Sequence, residues 1–407
     1  MEVLYPQCAG LDVHAAQITA CVRLATGPDV TRHRQVFAAT TAGLLALGAW
    51  LREHGCTHVA MEATGVYWKP VWHLLEADFE LVLANAMHIK QVPGRKSDVT
   101  DAEWIGDLLA HGLIRPSFVP PTAVQELRDL TRTRKQLMAE LARHTLRIQK
   151  TLEDANLKLT RVVADVLGRS SRAILRALIA GETDPDRLAD LTQGRLKASR
   201  AQLVEALQGR VTPHHRFMIQ MHLSQIESLE AAVQTIDDRL GEALFPFQQA
   251  VALLTTMPGV GDTAARVLVA EIGIDMSRLP TAGHLVSWAG LCPRLHESAG
   301  KRRSTRVRHG APWLKTTLVQ AAWAATRAKG TYLQAQFLRI KGRRGPKKAI
   351  VAVAASMLTA AYFMLRNGVE YHELGGRYLD HRDKEQITAR LVRRLQSLGL
   401  TVDVRAA

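Results

Sequence analysis

The chain has 407 residues with 53 Lys+Arg against 38 Asp+Glu, a formal net charge of +15. Apolar residues make up 47% and charged residues 22%, with 28 Gly and 15 Pro; this balance excludes a disordered or collagen-like chain, and the length points to two or three domains. The excess of base calls for an anionic partner, nucleic acid or an anionic surface, and leaves fold and chemistry open.

Four cysteines, Cys8, Cys21, Cys56 and Cys292, lie far apart with no C-x-x-C pair. That spacing argues against a zinc ribbon or a disulfide framework and for a reducing cytoplasm. The N-terminus lacks the basic stretch and apolar core of a signal peptide. The uncharged apolar run Ala349 to Leu365 reads as a buried helix, so no membrane partner is expected.

In chain order, Leu11 to Leu24 and Thr31 to Ala39 read as strands broken at Thr26-Gly27-Pro28. Thr41 to His54 reads as a helix ended by Gly55, His58 to Ala63 as a strand, Val66 to Ala77 as a helix and Glu80 to Ala86 as a strand. Asp98 to His111 reads as a helix with Ser97 as its N-cap. Residues 1–120 therefore predict an α/β domain with a mixed sheet, and Pro116 and Pro120-Pro121 mark its end.

From Thr122 to about Leu159 the apolar positions Leu127, Leu130, Leu137, Leu141, Ile148, Leu152, Ala155 and Leu159 keep near-heptad spacing. From Phe217 the set Ile219, His222, Ile226, Leu229, Val233, Ile236, Leu240 and Ala243 alternates steps of three and four. Such seams predict a helical coiled coil over 121–250, between the two stretches or between subunits of a homo-oligomer. Residues 160–215 read as a helical insertion with a loop at Gly181 to Pro185.

A third, mainly α-helical region covers 251–369, and the tail 370–407 has no assigned role. Met257-Pro258-Gly259-Val260-Gly261 before the helical Ala264 to Glu271 is the pattern of a helix-hairpin-helix turn. There Gly259 and Gly261 would let backbone N–H groups approach a phosphate; an ordinary helix entry fits the same residues. Charge is uneven along the chain: residues 298–369 hold 15 Lys+Arg and no Asp or Glu. A solvated surface normally mixes both signs, so this segment predicts polyanion binding.

Four acids stand out. Asp12 lies in the first strand and Glu62 at the end of a later one, both with apolar flanks that make an unpaired charge costly. Asp98 and Asp101, three apart, would share one face of a helix. Several carboxylates around paired Mg²⁺ ions are what metal-assisted phosphodiester chemistry needs. Acids in a first helical turn, Glu103 included, are equally what the helix dipole favours.

Gly10-Leu11-Asp12-Val13-His14, Met61-Glu62-Ala63-Thr64-Gly65-Val66-Tyr67-Trp68 and Lys96-Ser97-Asp98-Val99-Thr100-Asp101-Ala102 resemble the N-terminal domain of the DEDD insertion-sequence transposases, the insertion-sequence-110 family. Met257 to Gly261, Ala289-Gly290-Leu291-Cys292-Pro293-Arg294 and Glu297-Ser298-Ala299-Gly300-Lys301 resemble its C-terminal transposase domain, in the same order. The chain departs from the family pattern at Ser97, where Thr is commoner, and at Ala299, where Gly or Ser is. The resemblance implies a RuvC-like, ribonuclease-H-type fold in which Asp12, Glu62, Asp98 and Asp101 bind Mg²⁺. It also implies that Ser298 attacks a DNA phosphate to give a covalent phosphoserine intermediate.

The family further implies a composite site formed between subunits of a dimer or tetramer. Its partners would be donor DNA, target DNA and a structured guide RNA, in the bacterial cytoplasm at the nucleoid. Arg294, Lys301, Arg302, Arg303, Arg306 and Arg308 are suited to clamping phosphates beside the attacked bond. Guide pairing accounts for a basic protein with 5% aromatics and no evident helix-turn-helix. Three rivals are a structure-selective nuclease acting on branched DNA, a non-catalytic nucleic-acid-binding protein derived from a transposase, and a sugar-kinase-like ATPase. The last lacks a second phosphate loop and gives the basic segment no role.

Overall fold

The computed structural model describes residues 2–27, 29–93, 100–193, 198–293, 296–298, 300–304, 306–308, 310–382 and 384–404. The chain divides into two compact units, Met1–Val119 and Pro120–Ala407.

In the first unit β1 (Gln7–Val13), β2 (Gln17–Thr26) and β3 (Asp29–Ala38) form an antiparallel meander. The stretch expected as one strand from Leu11 to Leu24 is two. The chain reverses at His14-Ala15-Ala16, where the His14 N–H donates to the Gln17 carbonyl at 3.0 Å, without the Gly or Pro that signals most turns. Helix α1 (Thr41–Glu53) follows, its N-terminus capped by the Thr40 hydroxyl accepting from the Gly43 N–H at 3.2 Å. Then come β4 (His58–Glu62), α2 (Trp68–Leu75), β5 (Glu80–Ala84), the unanticipated α3 (Ala86–Gln91) and α4 (Asp101–Ala110). Strands β4 and β5 run parallel to β1, and the sheet order is β3-β2-β1-β4-β5.

Strand alternation sorts the residues onto two faces. Ala9, Leu11, Val13, Val59 and Met61 pack with Leu47 and Leu51 of α1 and Leu75 of α2. Cys8, Ala60 and Ala84 pack on the other face with Ile105, Leu108 and Leu109 of α4. Contact between β1 and α4 is backbone on backbone: a Cβ on Gly10 would sit 2.2 Å from the Ala102 carbonyl oxygen and 2.4 Å from the Gly106 nitrogen.

Helix α4 starts three residues later than the sequence suggested. Thr100 is its N-cap, and the Thr100 N–H donates to the Glu103 carboxylate at 3.1 Å. Asp98 and the expected cap Ser97 lie outside the described residues.

The second unit begins with α5 (Thr122–Asp154), continues through α6 (Leu159–Val162), α7 (Arg169–Ala180), α8 (Pro185–Asp190) and α9 (Arg200–Ala206), and returns along α10 (Pro213–Ala243). Pairing of Arg134 with Asp237, His144 with His222 and Asp154 with His215 makes α5 and α10 antiparallel within one chain. The two seams meet there, with Leu127, Ile148, Leu152, Ile219, Ile226, Val233 and Leu240 buried. At one end, α6 to α9 build a small core around Ile148, Leu152, Ile219 and Leu223.

The other end of the pair enters a helical core made by α11 (Gln248–Thr255), α12 (Asp262–Ile272), α13 (Ala282–Trp288), α14 (Pro312–Ala325), α15 (Tyr332–Arg344) and α16 (Pro346–Asn367). A hairpin of β6 (His296–Ser298) and β7 (Lys301–Ser304) sits between α13 and α14. Among the described residues, α16 alone is long and apolar enough to cross a membrane. Its Val353, Met357, Ala361 and Tyr362 are buried in this core, where the Tyr362 hydroxyl donates to the Leu279 carbonyl at 3.0 Å. The buried carboxylate of Glu271 at the end of α12 accepts both arms of Arg132 at 2.8 Å, and Arg128 donates to the Ala270 and Glu271 carbonyls. The tail folds back on the core, the Tyr371 N–H donating to the Thr256 hydroxyl at 2.9 Å, before α17 (Tyr378–Arg382) and α18 (Lys384–Gln396).

Candidate carboxylate site and nucleic-acid surface

Asp12 alternates with Gly10 and Cys8 on β1, and Glu62 with Ala60 on β4, so both carboxylates belong to the face that α4 covers. Leu11 pairs with Met61 in parallel register, which places Asp12 and Glu62 side by side at the carboxyl ends of neighbouring strands. Ligands of open α/β sheets collect at such ends. Helix α4 runs opposite to β1: the Cys8 thiol donates to the Gly106 carbonyl at 3.7 Å, while Gly10 meets Ala102 as well as Gly106. Its first turn, with Asp101, therefore points toward the Asp12 end of β1, and its positive dipole end favours carboxylates.

Both strand acids are half-buried and Asp101 is exposed. The Asp12 carboxylate lies 3.2 Å from His14 Nε2, and Glu62 accepts from the Thr64 hydroxyl at 3.4 Å. Carboxylate oxygens are hard donors suited to Mg²⁺ rather than to softer metals. Among the described residues no three His, Cys, Asp or Glu side chains form a group able to hold a metal ion. Of the four acids, the structure thus brings Asp12 and Glu62 together, sets Asp101 on the covering helix, and leaves Asp98 outside the described residues.

A row of ion pairs, not legible in the sequence, fixes α4 over this face. Arg23, 5% exposed, donates to Asp107 at 3.0 Å, Arg32 donates to the same carboxylate at 2.9 Å, and Arg34 pairs with Glu103. Burial works against the Glu103 charge, but hydrogen bonds from Arg34 and Thr100 outweigh it and hold the carboxyl below its ordinary range. These pairs join residues about 70 or more positions apart, where no local pattern could reveal them.

In the second unit the basic hairpin is tied at its base. Pro293 bridges Val307, and a Cβ on Gly290 would lie 2.8 Å from the Arg308 carbonyl oxygen and 2.9 Å from Gly310 Cα. Ser298 closes β6 opposite Lys301, and Lys301, Arg306 and Arg308 are exposed. Arg294 lies outside the described residues, and so do the side chains of Ser298, Arg302 and Arg303.

Gly259 has φ +82°, and a Cβ there would come within 2.3 Å of the Ala321 carbonyl oxygen. Packing against α14 therefore already demands glycine at 259. Gly261 is the N-cap of α12, with no side-chain cap. Both glycines line a cleft of about 770 Å³ together with Arg134, Lys135, Arg266 and Thr317. The approach of those four depends on how α5 packs against α12 and α14, which no local pattern in the sequence shows.

Residues 9–157 match a family described as transposase, of the DEDD type of IS110, and residues 251–338 match the transposase IS116/IS110/IS902 family. The two matches cover more than half of the chain. The chain belongs to the IS110 family of transposases. Similar proteins include the 43.6 kDa protein of insertion element IS110 from Streptomyces coelicolor, 35% identical over 123 residues, 29% of each chain. The proposed transposase y4rJ of Sinorhizobium fredii is 27% identical over 291 residues, 67% of each chain. The pilin gene-inverting protein of Moraxella bovis is 31% identical over 119 residues, 28% of this chain and 36% of the relative. Apart from y4rJ, each of these matches spans well under half of the relative's length.

Proposed function

We propose that this IS110-family chain is a DNA recombinase that excises and integrates an insertion sequence by Mg²⁺-assisted transesterification. The observation that carries the proposal is the placement of Asp12 and Glu62 on one face, at neighbouring strand ends, in a chain of a DEDD transposase family. The mixed sheet with its meander and two parallel crossovers supports a RuvC-like, ribonuclease-H-type reading. Asp12, Glu62, Asp98 and Asp101 are the residues that would hold Mg²⁺, and their oxygen-only donor set fits that ion in kind. The chemistry that bound Mg²⁺ supplies is neutralisation of charge developing on the phosphate oxygens.

Ser298 is the proposed nucleophile. Its Oγ bonds to the DNA phosphorus as one deoxyribose oxygen leaves with a proton, and the serine proton passes to a neighbouring base, for which Glu297 is adjacent in sequence. A deoxyribose hydroxyl of the partner strand then attacks the phosphoserine, restoring a phosphodiester and freeing the serine. The number of phosphoester bonds is conserved, so no energy source is needed. Lys301, Arg302, Arg303, Arg306 and Arg308, with Arg294 and the Gly259 to Gly261 turn, would hold the flanking phosphates. The inverting activity named for the Moraxella relative supports recombination over plain hydrolysis.

The family resemblance and the basic, aromatic-poor composition support selection of sites by a structured guide RNA and action as a homo-oligomer on donor and target DNA. Strand exchange between plasmids carrying the element's ends and its insertion site, with RNA transcribed from the flanking non-coding DNA, tests the proposal. Exchange that needs Mg²⁺ and the RNA, and is lost in Asp12→Ala and Glu62→Ala, is the expected result. Exchange that survives both substitutions contradicts it.

A further inference from the structure

The turn that leaves the carboxyl end of β4 and the first turn of α3, just after the carboxyl end of β5, carry large apolar groups to the surface. Val66 is 64% exposed, Tyr67 45% and Met87 60%. Val66 and Tyr67 follow Glu62 by four and five residues, and Met87 follows Ala84, the register partner of Glu62, by three. These groups are held in place. The Ala63 N–H donates to the Ala84 carbonyl at 2.9 Å, the Thr64 N–H to the Glu62 carbonyl at 2.9 Å and the Tyr67 N–H to the Thr64 carbonyl at 3.3 Å. Gly65, at φ +54°, makes the bend, and the Tyr67 ring lies over it, 3.6 Å from where a Cβ would stand. No hydrogen bond engages the Tyr67 hydroxyl among the described residues.

An exposed ring fixed by backbone hydrogen bonds, next to half-buried carboxylates, offers contact without charge. The carboxylates handle a phosphate only through cations, so grip on the rest of a nucleotide must come from elsewhere, and a fixed ring provides a stacking surface for a base. Bases inside a duplex are already stacked on each other and cannot use it. We infer that Tyr67, flanked by Val66 and Met87, is a stacking platform for an unpaired nucleobase beside the Asp12 and Glu62 site. The strand presented to these carboxylates is then single-stranded or locally unwound at the scissile position. The inference rests on the proposed nucleic-acid role of that site and specifies its substrate class. Tyr67 is a positioning residue here.

The test uses the full-length protein in Ca²⁺ and a short single-stranded oligodeoxynucleotide carrying 2-aminopurine, whose fluorescence is quenched by stacking. Wild type and Tyr67→Phe should bind and quench it. Tyr67→Ala should lose the quench and about tenfold or more in affinity, and Val66→Ser should weaken both less. Affinity for the matching duplex should not change in any variant. Quenching that persists in Tyr67→Ala, or an equal loss on the duplex, overturns the inference. Loss of strand exchange in Asp12→Ala with quenching intact in Tyr67→Ala would sink the platform alone. Exchange intact in Asp12→Ala with quenching lost in Tyr67→Ala would sink the carboxylate reading and leave the platform standing.

Discussion

Gly10 of β1 and Gly106 of α4 meet backbone to backbone, and that contact seats α4 over the face that carries Asp12 and Glu62. A Cβ at either glycine enters the gap: at Gly10 it would stand 2.2 Å from a carbonyl oxygen, and at Gly106 3.3 Å from the Gly10 nitrogen. Gly10→Ala should therefore cost about 3 kcal/mol, at the upper end of overpacking effects, because backbone must move. Strand exchange should fall with it. Gly342→Ala, in open space on the exposed side of α15, should raise stability by about 0.5–1 kcal/mol. Chemical denaturation of both variants checks the pair.

Glu271 is fully buried and holds Arg132 in a two-pronged ion pair, with Arg128 alongside. Burial pushes the Arg128 pKa down to about 10 against the pull of Glu271. Glu271→Ala would take the carboxylate from Arg132 at the junction of α5 and α12, while Arg128 keeps its two carbonyl bonds, and should cost about 3 kcal/mol. Glu271→Gln should cost less, since its amide oxygen still accepts from Arg132. Denaturant midpoints measured on the two variants decide it.

His222 is buried against His144, Nδ1 to Nδ1 at 3.3 Å. Burial, with help from His144 and Arg147, lowers its pKa below the ordinary 6.5. A depressed histidine pKa means that the folded state binds fewer protons than the unfolded one. Stability from this source is therefore complete above about pH 6.5 and declines as pH falls through the depressed value. Thermal unfolding at pH 5 and pH 7.5 should show a larger difference for wild type than for His222→Leu.

Neutralising Lys301, Arg306 and Arg308 together should weaken binding to duplex DNA of any sequence. Each lost phosphate contact should reduce the slope of log affinity against log salt by about 0.9. An unchanged slope would remove the basic hairpin from the nucleic-acid surface.

The two long helices are legible because burying one stripe per helix forces the three-four spacing of Ile219 through Ala243. That spacing fits pairing within one chain or between subunits equally well, and only the structure shows the antiparallel pair. The start of α4 is ambiguous in the sequence because Ser97 and Thr100 both make chemically sound caps. The capping box Thr100-x-x-Glu103 was the signal that separates them. The reversal at His14 left no trace, since alanine turns carry no compositional mark. Asp12 and Glu62 could be singled out by their apolar flanks, but their common face follows only from strand register. The ion pairs of Arg23, Arg32 and Arg34 with α4 and the cleft beside Gly259 depend on tertiary packing, which no local pattern encodes.

The most direct test of the account is the chemical identity of the bond between protein and DNA. Recombination reactions quenched in denaturant and digested with protease should yield a DNA-linked peptide whose mass places the phosphoester on Ser298, and Ser298→Ala should give neither the adduct nor strand exchange. An adduct on another residue, or strand exchange that persists in Ser298→Ala, would contradict it.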